Sequence, residues 1–392
     1  MTSVEREVDL QALRAGRLER LQRELRTQGV ASCLLLHEPN IRYATGAAAM
    51  PVWSMSTFVR SALVPAEGRP ILFEHTNSIH RSERVTDADI RPMRMWAFHD
   101  DPEPEADAWA AETIEAMGEL GVAGEPLAVD RLATPGFVAL QRAGLTLLDS
   151  AAVTQAAREV KTPEEVALLE RNGRVVETML GSFERAVVPG VRERELLAVH
   201  AEVLLAKGGE YLATNTVCSG PNTNPWRAEA TDRRVEAGDV VFVDTDCVGI
   251  EGYFFCVSRT FLCGDGPPPD PVRDTYRAAL EWLQGMKEVV RPGRTCGELA
   301  TLAPPLPEKY LPQRYEIMIH GIGLEEESPS VCYPIDPQPN PDRVVRENMA
   351  LVVELYAGEP GADHAVKLGD QVLVTRDGVR ELANYPFDER LR

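Results

Sequence analysis

The chain opens with apolar residues at helical spacing. Leu10, Leu13, Leu18, Leu21 and Leu25 fall within residues 8–28 and predict an amphipathic helix. The run Ala31-Ser-Cys-Leu-Leu-Leu36 then predicts a buried strand. Ala62-Leu-Val-Pro65 and Ile71-Leu-Phe-Glu74, joined through Glu67-Gly-Arg-Pro70, predict a hairpin. Short strand–helix units continue to about residue 150 and suggest a self-contained α/β domain. A new helix starts at Lys161-Thr-Pro-Glu-Glu165, with Thr162 as N-cap, Pro163 in the first turn and Glu165 closing a capping box. It is expected to run to about Ala186, ahead of Pro189-Gly190. Further helices are expected near 192–207 and 271–290, and a second capping box at Thr295–Glu298. Apolar runs predict strands at 240–246, 252–262, 348–356 and 366–375. The proline-rich pieces 267–271 and 334–341 read as loops. The division expected is an N-terminal domain over 1–155 and a C-terminal domain over 156–392, both mixed α/β (α+β).

Chemistry-bearing residues sit inside the most apolar strands. Asp244 and Asp246 follow Val240-Val-Phe-Val243 and alternate, so both side chains can share one face. His320 lies in Tyr315-Glu-Ile-Met-Ile-His-Gly-Ile-Gly323, and Glu354 in Met349-Ala-Leu-Val-Val-Glu-Leu-Tyr356. A lone histidine or strand-end acid is usually a satisfied core or surface group. Three acids and a histidine embedded in buried strands need partners, because an unpaired buried charge is costly, and together they read as a site.

Composition narrows the partners. A formal charge of -20 argues against nucleic acid and anionic membranes and leaves a small-molecule substrate. No apolar run reaches the ~18 residues of a membrane span, and the acidic start Met1-Thr-Ser-Val-Glu-Arg-Glu predicts no secretory signal. Seven cysteines without a CxxC pair predict free thiols and a reducing, cytoplasmic setting. Lysine is scarce, five residues among 41 Lys and Arg, a bias that reads as background.

Five segments in order resemble the creatinase/prolidase/aminopeptidase P family with its pita-bread fold: Gly238-Asp-Val-Val-Phe-Val-Asp244, Ser258-Arg-Thr-Phe261, His320-Gly-Ile-Gly323, Glu347-Asn-Met-Ala-Leu-Val-Val-Glu354 and Val366-Lys-Leu-Gly-Asp-Gln-Val-Leu-Val374. Residues 1–155 look like that family's creatinase-like N-terminal domain. Ser219-Gly-Pro-Asn-Thr-Asn-Pro-Trp226 and Asp244-Thr-Asp246 look most like the dimethylsulfoniopropionate lyase branch. The resemblance implies metal ligands at Asp244, Asp246, 256, His320, Glu354 and 369, a substrate-contacting tyrosine at Tyr315, a catalytic base at Glu326, and a homodimer.

The chain departs from that pattern at two ligand positions, where Cys256 and Gly369 stand for carboxylates that bridge two metals. The expectation is therefore no catalytic metal, or at most one, zinc or iron(II), on Asp244, Asp246, His320 and Glu354. Trp226 stands near where the family's peptidases carry a catalytic histidine, which argues against peptide hydrolysis. Trp53, Trp226 and Tyr315, with Cys256, are expected to contact substrate, their aromatic faces favouring a cationic group. Arg259 is expected to support Asp244 or Asp246. Cys256 is either a nucleophile activated by His320 or a small space-filler. The implied function is a small-molecule lyase: general-base β-elimination on a small zwitterionic or cationic carboxylate, with Glu326, His320, Asp244, Asp246 and Glu354 as catalytic groups. The alternatives are a hydrolase of a non-peptide C–N bond and a non-catalytic binding relative.

Overall fold

The computed structural model of the protein describes residues 8–55, 59–96, 98–226 and 229–392. They form two compact units that divide between Arg158 and Glu159.

In the N-terminal unit the helix Leu10–Thr27 is capped by Asp9, whose carboxylate accepts from the Gln11 and Ala12 amides. It buries Leu13, Leu21 and Leu25. A six-stranded sheet runs in the order Asp89–Pro92, Ile71–Glu74, Ser61–Pro65, Ser32–Leu35, Leu127–Val129, Leu147–Asp149. The expected hairpin forms, Ser61–Pro65 also pairs antiparallel with Ser32–Leu35, and the other pairings are parallel. Trp96 and Trp109 meet edge to face at 4.7 Å in the core beneath it.

The C-terminal unit begins with the helix Pro163–Ala186, closed by the Thr162–Glu165 capping box. Glu193–Ala206 and Asp270–Val289 follow, and a second capping box, Thr295–Glu298, starts Cys296–Leu302. The main sheet is antiparallel, in the order Glu326–Cys332, Ile317–Ile322, Ala350–Gly358, Ala365–Thr375, Ser258–Leu262, Val240–Asp244, Val217–Ser219, with Gly378–Glu381 beside Ala365–Thr375. Its two faces follow from the period of two. Leu351, Val353, Leu355 and Ala357, with Val366, Leu368, Val372 and Val374, join Tyr276, Trp282 and Leu283 of the helix Asp270–Val289 in one core. The alternate positions, Glu354 on one strand and Lys367 and Gly369 on the next, therefore share the opposite face.

Two expected strands are shorter than the apolar pattern suggests. The strand at 240 ends at Asp244, and residues 252–262 form Phe254–Phe255 and Ser258–Leu262. Pairing of Asp244 with Ser258 and of Cys247 with Phe255 leaves Thr245-Asp246 outside the regular ladder opposite Cys256-Val257, bridged by the Thr245 amide donating to Val257 O at 3.1 Å. The Thr245 hydroxyl holds this gap open, donating to Phe255 O and accepting from the Val257 amide at 2.8 Å. Asp246 and Cys256 are the two residues the gap frees from the ladder. Among the described residues no helix is long and apolar enough to cross a membrane.

Candidate active site

The ladder places Glu354 directly opposite Gly369 and Tyr356 opposite Lys367, while Ser258 pairs with both Gly369 and Asp244. Five strands thus bring Asp244, Ser258, His320, Glu354 and Lys367 to one face, and all five side chains are buried. Asp246 is half-buried beside them. One ligand atom from each of Asp244, Asp246 and Cys256 lies within 4.8 Å of the others.

The centre of the cluster is a residue the sequence reading passed over. Lys367 Nζ lies 2.9 Å from Asp244 Oδ2 and donates a short hydrogen bond to Glu354 Oε2. The ammonium also sits 4.7 Å from the centre of the Trp226 ring and 5.2 Å from that of Tyr315. These aromatic faces, expected to attract a substrate cation, already lie against a cation of the protein. The available signal was compositional. In a chain with five lysines, three of them, Lys161, Lys287 and Lys367, are buried and paired with carboxylates.

The other expected residues occupy distinct places. His320 Nε2 lies 3.4 Å from Glu354 Oε1, and its Nδ1 lies 2.9 Å from Gly321 O. Ser258 Oγ donates to Asp244 Oδ1 at 2.9 Å, and the Cys256 thiol reaches the same oxygen at 3.4 Å. Thr214 Oγ1 donates to Asp246 Oδ2 at 3.0 Å. Tyr315 and Trp226 are half-buried and meet edge to face at 5.4 Å, and Trp226 stacks on Tyr356 at 5.8 Å. Glu326 is exposed at the start of its strand, opposite Ile322, and its charge reaches both His320 and Tyr315. The next acid, Glu327, points inward by strand alternation and pairs with Lys161 at 2.6 Å. A Cβ at Gly323 would meet the Glu327 carboxylate at 2.3 Å, and one at Gly321 would meet Ser328 O at 2.3 Å. The His-Gly-Ile-Gly pattern is thus a packing requirement between two strands. Trp53 belongs to the N-terminal unit, where it stacks on His75 at 5.3 Å.

Arg259 does not support Asp244 or Asp246. It follows Ser258 on the strand and so faces the other way, pairing with Asp370 at 2.8 Å and donating to Gly369 O and Tyr385 O.

Charges inside the cluster set one another's protonation. Burial alone would raise Glu354, but Lys367 and His320 outweigh it and hold the carboxyl near 2. Burial opposes a charged His320, yet the bond to Glu354 and its charge raise the ring to about 9. Asp246 is raised to about 7, first by burial and then by the charge of Asp244. Burial, followed by the charges of Asp244, Asp246 and Glu354, pushes the Cys256 thiol well above its ordinary range. A protonated buried thiol is a poor nucleophile.

The loop that carries Trp226 is anchored by Glu193. Its buried carboxylate accepts from Ser219 N and Oγ at 2.8 and 2.7 Å, Asn222 Nδ2 at 3.0 and 3.1 Å, and Thr231 N and Oγ1 at 2.8 and 2.5 Å. One acid thereby ties both ends of the segment 219–231. No periodic pattern marks this role, because the partners lie 26 to 38 residues away.

A metal pair does not fit these residues. Gly369 offers no ligand, and the Cβ it lacks would stand 3.0 Å from Glu354 Cβ and 3.2 Å from Ser258 Oγ. The Asp244–Asp246–Cys256 spacing is compatible with one ion, although Asp244 is also engaged by Lys367.

Comparison with known proteins agrees with the fold. Residues 167–376 match metallopeptidase family M24, and residues 17–160 match the creatinase/prolidase N-terminal domain. The chain is 32% identical to the dimethylsulfoniopropionate lyases DddP of Roseovarius nubinhibens and Roseobacter denitrificans, over 98% of this chain and 88% of theirs. Peptidases match over less of it: the Xaa-Pro dipeptidase of Pyrococcus furiosus is 28% identical over 57% of this chain and 63% of its own. Among solved structures, the Xaa-Pro dipeptidase from Bacillus anthracis superposes with a TM-score of 0.79 at 20% identity, covering 95% of this chain and 98% of that one. With both domains matched in order, the chain belongs to metallopeptidase family M24, with a creatinase/prolidase N-terminal domain ahead of its pita-bread domain.

Proposed function

We propose that the protein is a lyase that eliminates a β-leaving group from a small zwitterionic or cationic carboxylate, such as a 3-sulfonio- or 3-ammoniopropionate. The observation that carries this reading is the distribution of its carboxylates. Asp244 and Glu354 are tied to Lys367, and Glu327 to Lys161. Among the described residues, Asp246 and Glu326 make no ion pair, and Glu326 is the exposed one. A carboxylate free of an ion pair keeps its oxygens available to take a proton from a substrate. The full-length similarity to two lyases supports the same class.

In the proposed step, the Glu326 carboxylate takes a proton from C2 of the substrate. The C–H electron pair becomes the C2–C3 double bond, and the leaving group departs from C3 with its bonding pair. A sulfonium leaves as a neutral sulfide and the organic product is an acrylate. Burial raises the Tyr315 phenol, so it stays protonated and can donate to the substrate carboxylate. The Lys367 ammonium, 5.2 Å from the centre of that ring, adds positive charge beside it. No step in this scheme uses a metal.

Glu326→Gln keeps shape and removes basicity. It is expected to lower kcat by at least about 100-fold with little change in KM. Full activity in that variant together with a similar loss in Asp246→Asn would move the base to Asp246. Full activity in both would refute general-base elimination by this site. A cytoplasmic setting, supported by seven buried cysteines that are all free, and a homodimer, implied by the family resemblance, complete the proposal.

A further inference from the structure

We propose that the Lys367 ammonium is the resident cation of this site, taking the charge-neutralising place of a metal, so that Lys367 and a divalent ion compete for Asp244 and Glu354. The inference stands apart from the lyase reading and concerns only what holds the carboxylates together.

Three independent observations converge on it. Lys367 lies on the strand Ala365–Thr375, bonding Glu354 on the neighbouring strand to one side and Asp244 two strands away on the other. The two acids on either side of the cluster are thus joined through one nitrogen. Second, the positions that would complete a metal pair are a glycine and a cysteine, and the space at Gly369 is closed by Glu354 Cβ at 3.0 Å and Ser258 Oγ at 3.2 Å. Third, the rings of Trp226 and Tyr315, at 4.7 and 5.2 Å, complete the surroundings of the ammonium. Acids on two sides and aromatic faces beyond them make a built cation site whose occupant is covalently attached.

The competition is electrostatic. A divalent ion bound to a carboxylate sits ~2.1 Å from its oxygen. With Nζ at 2.9 Å from Asp244 Oδ2, an ion on that oxygen would lie within about 5 Å of the ammonium. Two cations at that separation in a poorly solvated site repel strongly. The occupant also has to be lysine. An ammonium is a compact point charge with three donors, whereas a planar guanidinium needs more room and a flat pair of acceptors.

The test is metal binding, read without reference to turnover. Wild-type, K367M and K367M/C256D proteins are loaded with Zn²⁺ and, separately, Mn²⁺, then dialysed. Retained metal is measured by mass spectrometry and Kd by calorimetric titration. K367M is expected to bind Zn²⁺ at least about 100-fold more tightly than wild type, and K367M/C256D more tightly still. Equal affinity in wild type and K367M overturns the proposal. If K367M does not fold, K367Q replaces it, keeping an N–H donor without charge. The wild-type arm also decides alone: loss of all metal in a chelator supports the proposal, and a retained equivalent that D244N loses overturns it.

Discussion

Gly369 faces Glu354 across the antiparallel ladder, and the Cβ that glycine lacks would come within 3.0 Å of the Glu354 Cβ. The strands are closed up around the missing side chain. Gly369→Ala is therefore expected to lower stability by about 1–3 kcal/mol, the usual range for overpacking. Urea denaturation measures it. An unchanged midpoint would mean that the strands part without cost.

Removing Lys367 leaves two buried carboxylates facing each other. K367M is expected to cost about 3–5 kcal/mol, as for other buried pairs broken from one side. Lys367→Arg retains charge but not size, and is expected to fall between wild type and K367M. The same denaturation series reads both, and a neutral K367M would show that Asp244 and Glu354 do not depend on the ammonium.

Glu193 holds Trp226 from a distance. Glu193→Gln keeps the shape but weakens charge-assisted bonds to Ser219, Asn222 and Thr231. A loss of about 2–3 kcal/mol is expected, with a change in tryptophan fluorescence that Trp226→Phe abolishes. An unchanged spectrum would mean that the loop is fixed by other contacts.

On the opposite face of the sheet, Asp370 bonds Arg259 at 2.8 Å and Lys287 at 2.6 Å. Burial alone would raise its carboxyl, but the two cations outweigh it and hold it below the ordinary value. A depressed folded pKa adds stability that is fully present above the unfolded value of about 3.9 and is lost as pH falls through the folded one. Wild type should therefore lose stability as pH falls below about 4. Asp370→Asn should be less stable at neutral pH and show a shallower acid slope, measured as denaturation midpoints across that range.

Local signals in the sequence carried much of the fold. Thr162 and Thr295 cap their helices as expected because a capping box is satisfied within four residues. Asp244, His320 and Glu354 were visible because a charge in an apolar strand needs a partner. The partners themselves were harder to see. Lys367 and Asp370 lie three residues apart on one strand and face opposite sides, so only the sheet register shows that the lysine meets Asp244 and Glu354 while Arg259 and Lys287 meet Asp370. The gap that frees Asp246 and Cys256 was also hidden, since Thr245 creates it through bonds to Phe255 and Val257 ten and twelve residues on. Glu326 and Glu327 look alike in the chain. Strand alternation alone exposes one and buries the other against Lys161.

Elimination and hydrolysis on this scaffold are separated most directly by turnover of a 3-sulfoniopropionate in oxygen-18 water. Elimination forms the organic product from atoms already in the substrate, so mass spectrometry should find an acrylate without the heavy isotope. A 3-hydroxy acid or other product carrying one oxygen-18 would show that water had attacked, and would contradict the lyase reading.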